Sequence, residues 1–444
     1  MDVLKRSLLI MLVITTVITA GCFNNSSSGE KGLDPDKSYT LKVLTTDKLT
    51  FSLFFEPTFS AKFPHVVFDV TTIDNLYANP VNPTGTVLAA IEETKPDIIM
   101  IDPFQFEKLA AQDKLVKLDN YIERSKFDLE GIHPGVLNQL RAMGDGNLYG
   151  LSPTFTSKAL YYNRKLFDQA GVPYPSDQLS WNEVVQLGKR FTALKTSKGK
   201  PVYGLYATGG PVTFAEQINL TNGVRIYNEE SDTLAINTPL VRTAWNLAND
   251  VERSKVLSPA GDQTDYFAAS QAAMTVADFS YPYNGLPLFP GQEPVDWDIV
   301  TAPVNPDNRA DNTNYMLLNV FAINQASVNL DIAWKFLAYI GGEQFAKALS
   351  GSINQLLSRT DAMNTFEGRR LDAFYKLGPA PDSGQLNISM SEKSRFVYMA
   401  YYEAMGQQFD LASRGEVSVD EALATVETIV KAKLKSFQPT DSAN

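Results

Sequence analysis

The chain has 444 residues and a formal net charge of −11, with 44% apolar, 20% charged and 11% aromatic residues. That length exceeds the roughly 250–300 residues at which a single hydrophobic core stops growing, so at least two domains are expected. The acidic balance makes nucleic acid and an anionic membrane face poor partners, and a single cysteine excludes a disulfide framework.

The N-terminus has the order of a secretory signal over residues 1–21. Lys5 and Arg6 make a positive start, Ser7 to Thr19 (SLLIMLVITTVIT) is apolar and uncharged, and Ala20 and Gly21 are small. The apolar run falls short of the roughly 20 residues that span a bilayer, so no permanent transmembrane anchor is expected. Thr19-Ala20-Gly21-Cys22 resembles the lipobox of bacterial lipoproteins, with Thr where Leu is commoner. The resemblance implies that the Cys22 thiol is lipidated and that Cys22 begins the mature chain. The polar NNSSSGEKG stretch after it reads as a flexible leash, taken as residues 22–38.

Strands and helices then alternate. TLKVLTT around Leu41 and Val43 predicts a strand. Phe51, Phe55, Phe59 and Phe63 recur every four residues, one face of a helix, which Pro57 should kink or delay. Val66, Phe68 and Val70 alternate as a second strand. Thr84 to Glu93 predicts a helix, Asp97 to Asp102 (DIIMID) a strand covered on both faces, and Glu107 to Gln112 another helix. This order predicts a parallel, doubly wound sheet. Capping boxes at Ser180/Glu183 and Ser418/Glu421 mark two helix starts, and Gly341-Gly342 should separate two helices within 331–349. Trp181, Trp245, Trp297 and Trp334 all sit where packing is expected.

The search for reactive motifs is negative. There is no phosphate loop, dinucleotide fingerprint, HExxH or GxSxG. His65 and His133 are the only histidines and have no second ligand at helical spacing, so neither a metal nor a cofactor is expected. Ser197 to Lys200 (SKGK) fits Ser-x-x-Lys but reads as a solvated turn. A glycosidase carboxylate pair is set in space and leaves no spacing signature.

Six blocks, in order along the chain, carry a resemblance. PDIIMIDPFQFEKLAAQDKLVKLDNYI (96–122) ends a strand, turns a helix and reaches Leu-x-x-Leu-Asp. GNLYGLSPTFTSKALYYNRKLFDQAGVPYPSDQLSWNEVVQLGKRFT (146–192) is the strongest. FAASQAAMTVADFSYPY (267–283), WDIVTAPVNP (297–306), AINQASVNLDIAWKFLAYI (322–340) and GEVSVDEALATVETIVKAKL (415–434) follow. Together they resemble the family 1 extracellular solute-binding proteins, the sugar-binding components of ABC importers.

The resemblance implies an α/β, two-lobed periplasmic-binding-protein-like fold with discontinuous lobes and an interlobe ligand cleft. Crossings between lobes are expected near 152–157, 315–318 and 355–360. The lobes are then 39–154 with 318–356, and 155–317 with 357–438, leaving 439–444 as a tail. The implied protein is not an enzyme. It captures a sugar or oligosaccharide and delivers it to ABC permease subunits, held by lipid on the outer face of the bacterial membrane. A non-sugar solute, a sensing role, or a glycan-degrading surface enzyme are the alternatives.

Site residues follow from two arguments. Ligands of open α/β sheets sit beyond the carboxyl ends of strands, which nominates Asp47, Asp102 and Phe104; Asp102 equally suits an N-cap. Phe155, beside the first crossing, suits core or cleft. The family's Gly and Trp after the AAM strand are absent here, where Ala277-Asp278-Phe279-Ser280-Tyr281 stands instead. That leaves Phe279, Tyr281 or Tyr283 to stack on a sugar ring and Asp278 to accept from its hydroxyls. Asn314-Tyr315-Met316 likewise replaces a Gly-rich pair, which nominates Tyr315.

Overall fold

The computed structural model describes residues 37–438, apart from 74–75, 77–82, 230, 262–263, 285, 287–292, 353, 367 and 381–391. The expected signal, Cys22, most of the leash and the 439–444 tail lie outside the described residues.

Two sheets organise the chain. The first has five strands in the order Val66–Thr72, Tyr39–Thr45, Ile98–Ile101, Val320–Ile323, Gly150–Leu151. The first three run parallel, as their alternation with helices requires. The parallel arrangement expected of these three strands is observed, and a later strand departs from it. Val320–Ile323 pairs antiparallel with Ile98–Ile101, because it enters from the crossing and runs away from it, whereas the others run towards it. The second sheet has four strands in the order Trp297–Thr301, Lys158–Asn163, Ala272–Asp278, Tyr203–Tyr206. Between them lies a three-stranded sheet, Met316–Leu317, Thr154–Thr156, Leu356–Leu357. The chain is therefore two-lobed, with short strands linking the lobes.

Local sequence explains the elements. Phe51, Phe55 and Phe59 line the buried face of one continuous helical stretch, Lys48–Thr50, Phe51–Phe55 and Glu56–Lys62. Its middle segment is a π-turn, in which the Glu56 N–H bonds to the Phe51 carbonyl. Pro57 has no N–H to give, and the wider turn directly before it keeps the three rings on one face without a break. Ile98–Ile101 is wholly buried, as an uninterrupted apolar strand should be. Both capping boxes form: Ser180 and Glu183 start Trp181–Gly188, and Ser418 and Glu421 start Val419–Ser436. The Gly341-Gly342 pair separates Leu330–Ile340 from Glu343–Leu349.

There are two cores. One fills the first lobe, passes through the crossing strands and reaches one face of the second sheet; the other covers that sheet's opposite face. Strand Lys158–Asn163 serves both. Ala159 and Tyr161 point into the first core, Leu160 and Tyr162 into the second, the alternation a strand dictates. Helix Trp181–Gly188 lies against Tyr203–Tyr206 so closely that a Cβ on Gly204 would meet the Gly188 carbonyl oxygen at 2.3 Å.

The crossing strands are tied together by buried polar groups. Ser358 Oγ donates to the Ser152 carbonyl (2.5 Å), Ser152 Oγ lies 2.9 Å from the Asn319 carbonyl, and Asn312 Nδ2 donates to Ser157 Oγ (2.6 Å). An aromatic stack adds to them. Phe155 lies 4.6 Å from Tyr315, and both rings contact His133. His133 Nδ1 accepts the Gly135 N–H at 3.1 Å, so its Nε2 is the nitrogen that donates to the Tyr375 carbonyl at 3.0 Å. Burial holds the His133 pKa below its ordinary value, a shift opposed by the Tyr375 carbonyl.

Candidate functional site

Topology brings the carboxyl ends of both main sheets to the crossing. Gly150–Leu151 runs parallel to Ile98–Ile101, since each pairs antiparallel with Val320–Ile323. Three residues beyond its end, the chain enters the linking sheet at Thr154. The carboxyl ends at Thr45 and Ile101 therefore lie on the crossing side. In the second lobe, Lys158 opens its strand directly after the crossing and pairs antiparallel with Asp278. The strand ending at Asp278 is parallel to the one ending at Tyr206, so those ends also lie on the crossing side. That is where open α/β sheets hold ligands.

A pocket occupies this edge of the second lobe. It is an open pocket of about 540 Å³, within the roughly 300–1,000 Å³ of small-molecule sites. Lys158, Tyr206, Thr213, Gln217, Asp278 and Tyr281 are among the residues that line it. Thr213 and Gln217 lie one turn apart on helix Gly210–Thr221, so they share a face. Gly209 carries the chain from Tyr206 into that helix with φ +86°, and a Cβ there would meet Thr213 Oγ1 at 2.3 Å.

The polar groups of the pocket are held in different ways. Tyr281 stands edge-on to Tyr161 at 5.4 Å and donates its hydroxyl to Asp265 Oδ2 at 2.8 Å. Burial, then the Asp265 charge, raises the Tyr281 pKa, so the phenol stays protonated. The Asp278 carbonyl accepts from the Tyr161 hydroxyl at 3.0 Å. Its Oδ1 accepts from the Ser280 N–H (2.8 Å) and Oγ–H (2.6 Å). Oδ2 is left without a protein donor among the described residues. Lys158 is half-buried, and its ammonium has no hydrogen bond or ion pair among the described residues. Burial lowers its pKa, and the Asp278 charge partly opposes that. The pocket thus offers an unpaired donor, an unpaired acceptor and tyrosine rings. No cluster of metal-ligating side chains occurs among the described residues.

The nominated residues fall into three groups. Asp278 and Tyr281 line the pocket together. Asp47 and Asp102 each stand two positions beyond the register pair Thr45 and Met100, on the corresponding edge of the first lobe. Both act as N-caps. Asp47 accepts from the Thr50 N–H (2.9 Å), and Asp102 from the N–H groups of Phe104 and Gln105 (3.0 and 3.1 Å). Phe104, half-buried, lies beneath the Lys108 ammonium. Phe155, Phe279 and Tyr315 expose at most 1% of their surface and are packed among other rings, Phe279 against Tyr283, Phe366 and Phe374. Lys158 and Tyr206 were missed. The signal was there for Lys158, a cation opening an apolar strand (ALYYN) at an expected crossing; Tyr206 ends a strand before Thr208-Gly209-Gly210, a pattern of loops that approach ligands.

Comparison with known proteins agrees with this architecture. Residues 44–347 match the family profile described as bacterial extracellular solute-binding protein. The arabinooligosaccharide-binding protein of Bacillus subtilis is 22% identical over 261 residues, 57% of this chain; the chain spans little more than half (55%) of that relative's length. Among solved structures, the extracellular solute-binding protein family 1 from Alicyclobacillus acidocaldarius superposes with a TM-score of 0.66 at 14% identity, over 91% of this chain and 99% of the other. The sugar-binding protein MalE from Xanthomonas citri gives 0.64 at 18% identity, over 89% and 98%. Family profile and two-lobed fold coincide: the chain belongs to the bacterial extracellular solute-binding proteins.

Proposed function

We propose that this protein is the extracytoplasmic receptor of an ABC importer, that its lobes close on a sugar or oligosaccharide, and that it passes the solute to a membrane permease. The observation that carries this reading is the Lys158–Asp278–Tyr281 pocket at the strand ends beside the crossing, in a fold built for hinge closure. Relatives described as binding arabinooligosaccharide and sugar support the choice of solute. The lobes we assign are 39–154 with 318–356, and 155–317 with 357–438, supported by the sheet memberships. Asp47, Asp102 and Phe104 supply the first lobe's side of the cleft in this reading. The protein acts by binding, without catalysis or cofactor.

Cys22 anchors it by lipid to the outer face of the membrane, and the leash gives it reach to the permease. No helix among the described residues is long and apolar enough to cross a membrane. A Cys22→Ala variant that stays with the membrane and still incorporates labelled palmitate would defeat the anchoring.

One observation favours a non-sugar solute: Trp181, Trp245, Trp297 and Trp334, all the tryptophans of the chain, are at most 5% exposed and leave no indole for stacking. A thermal-shift panel on the body from Asn24 onward separates the readings. A ligand at 100 times its dissociation constant adds about 2.7 kcal/mol. At ~2.1 cal/mol/K per residue, a body of about 420 residues gives ~0.9 kcal/mol/K, hence a shift of about 3 °C. A shift with saccharides supports the sugar reading; a shift only with polyamines, peptides or amino acids discards it and keeps the receptor.

A further inference from the structure

Lys158 and Asp278 are register partners on adjacent antiparallel strands, yet they form no ion pair. Each has a function left open inside the same pocket. The ammonium carries three N–H donors and has no acceptor among the described residues. The carboxylate uses Oδ1 on its own turn, through Ser280, and Oδ2 has no donor among the described residues. A solute carrying charge of a single sign meets a conflict here. A carboxylate drawn to Lys158 is repelled by Asp278, and an ammonium drawn to Asp278 is repelled by Lys158. A hydroxyl group has both a proton to give and lone pairs to accept. Two neighbouring hydroxyls therefore satisfy both residues at once, one oxygen accepting from Lys158 Nζ and the other hydroxyl donating to Asp278 Oδ2.

We propose that Lys158 and Asp278 together grip adjacent hydroxyls of a neutral sugar and exclude acidic sugars, making this pair the determinant of solute class. The proposal rests on the reading of the pocket as a sugar site. Burial of Lys158 strengthens the case, because a half-desolvated ammonium without an acceptor gains more from a hydroxyl than one in open water. The turn at Ser280 holds Asp278 in place before any solute arrives.

The test is titration calorimetry of the soluble body with arabinotriose, maltotriose and trigalacturonate, on the parent protein and on Lys158→Met and Asp278→Asn. Asparagine keeps an acceptor oxygen for Ser280, and neither change breaks an ion pair among the described residues, so both variants should melt close to the parent. The parent is expected to bind a neutral trisaccharide at least tenfold more tightly than trigalacturonate. Each variant should lose roughly 10–100-fold for the neutral sugar, the loss expected for one charge-assisted hydrogen bond. Asp278→Asn should also narrow the gap towards trigalacturonate. Tighter binding of trigalacturonate by the parent, or neutral-sugar affinities in both variants within threefold of the parent, would overturn the proposal while leaving a sugar receptor. Should no trisaccharide of either class bind the parent, and the saccharide panel above give no shift, the sugar reading itself fails.

Discussion

Replacing Phe155 with alanine removes a ring from the middle strand of the linking sheet. The side chain is fully buried and stacks on Tyr315 at 4.6 Å and 21°. It also meets Tyr375 edge-on at 5.5 Å and His133 at 5.7 Å. Phe-to-Ala changes in packed cores cost about 3–5 kcal/mol, the spread depending on how far the site collapses. Collapse is restricted here, because the strands on both sides are tied by Ser152 and Ser358. At ~0.9 kcal/mol/K for a body of about 420 residues, the expected loss is about 3–5 °C in melting temperature. The assay is thermal and urea unfolding of the soluble body, run beside titration with whichever solute the panel identifies. A variant that melts within 1 °C of the parent but binds tenfold more weakly would refute the reasoning. The ring would then belong to the ligand surface and not to the packing between lobes.

His133 predicts a pH dependence. Its folded pKa lies below the ordinary 6.5, so as pH falls below about 6.5 the unfolded chain takes up the proton first. Its contribution is whole above that value and declines as pH drops towards the folded pKa; urea midpoints between pH 5 and 7 should show this slope flattened in His133→Gln, and an unchanged slope would count against it. Glu183 works at lower pH. The Ser180 backbone N–H, then Arg309 and the Ser180 hydroxyl, hold its pKa down to about 2, so its contribution is present above about 4.5 and lost as pH falls through about 2. Glu183→Gln should weaken the fall in urea midpoint between pH 4.5 and 2, and Ser180→Ala should cost about 1 kcal/mol at neutral pH; an unaffected midpoint would show that the cap does not hold helix Trp181–Gly188. Gly209→Ala forces a side chain into a left-handed conformation, at about 1–2 kcal/mol, and against Thr213. Its solute affinity should fall together with its stability, and parental affinity would show that the Thr213 rim plays no part in binding.

Much of this molecule is legible from local spacing. The spacing of Phe51, Phe55 and Phe59, the two Ser-x-x-Glu boxes, the apolar run at Ile98–Ile101 and the Gly341-Gly342 break each depend on residues within a few positions of one another. Their physics is contained in the chain's own backbone geometry, and the ordered sequence blocks were enough to indicate the family. Tertiary structure alone decided the rest. Val320–Ile323 runs antiparallel because of where the chain re-enters its sheet. Phe279 is sealed among rings while Tyr281, two residues later, reaches the pocket. The register that sets Lys158 opposite Asp278 joins residues 120 positions apart, and Tyr206 meets them through a different strand. Side-chain periodicity determines which face of an element is apolar. Which polar groups are left unpaired at one shared edge depends on contacts between distant strands, and no local pattern encodes that.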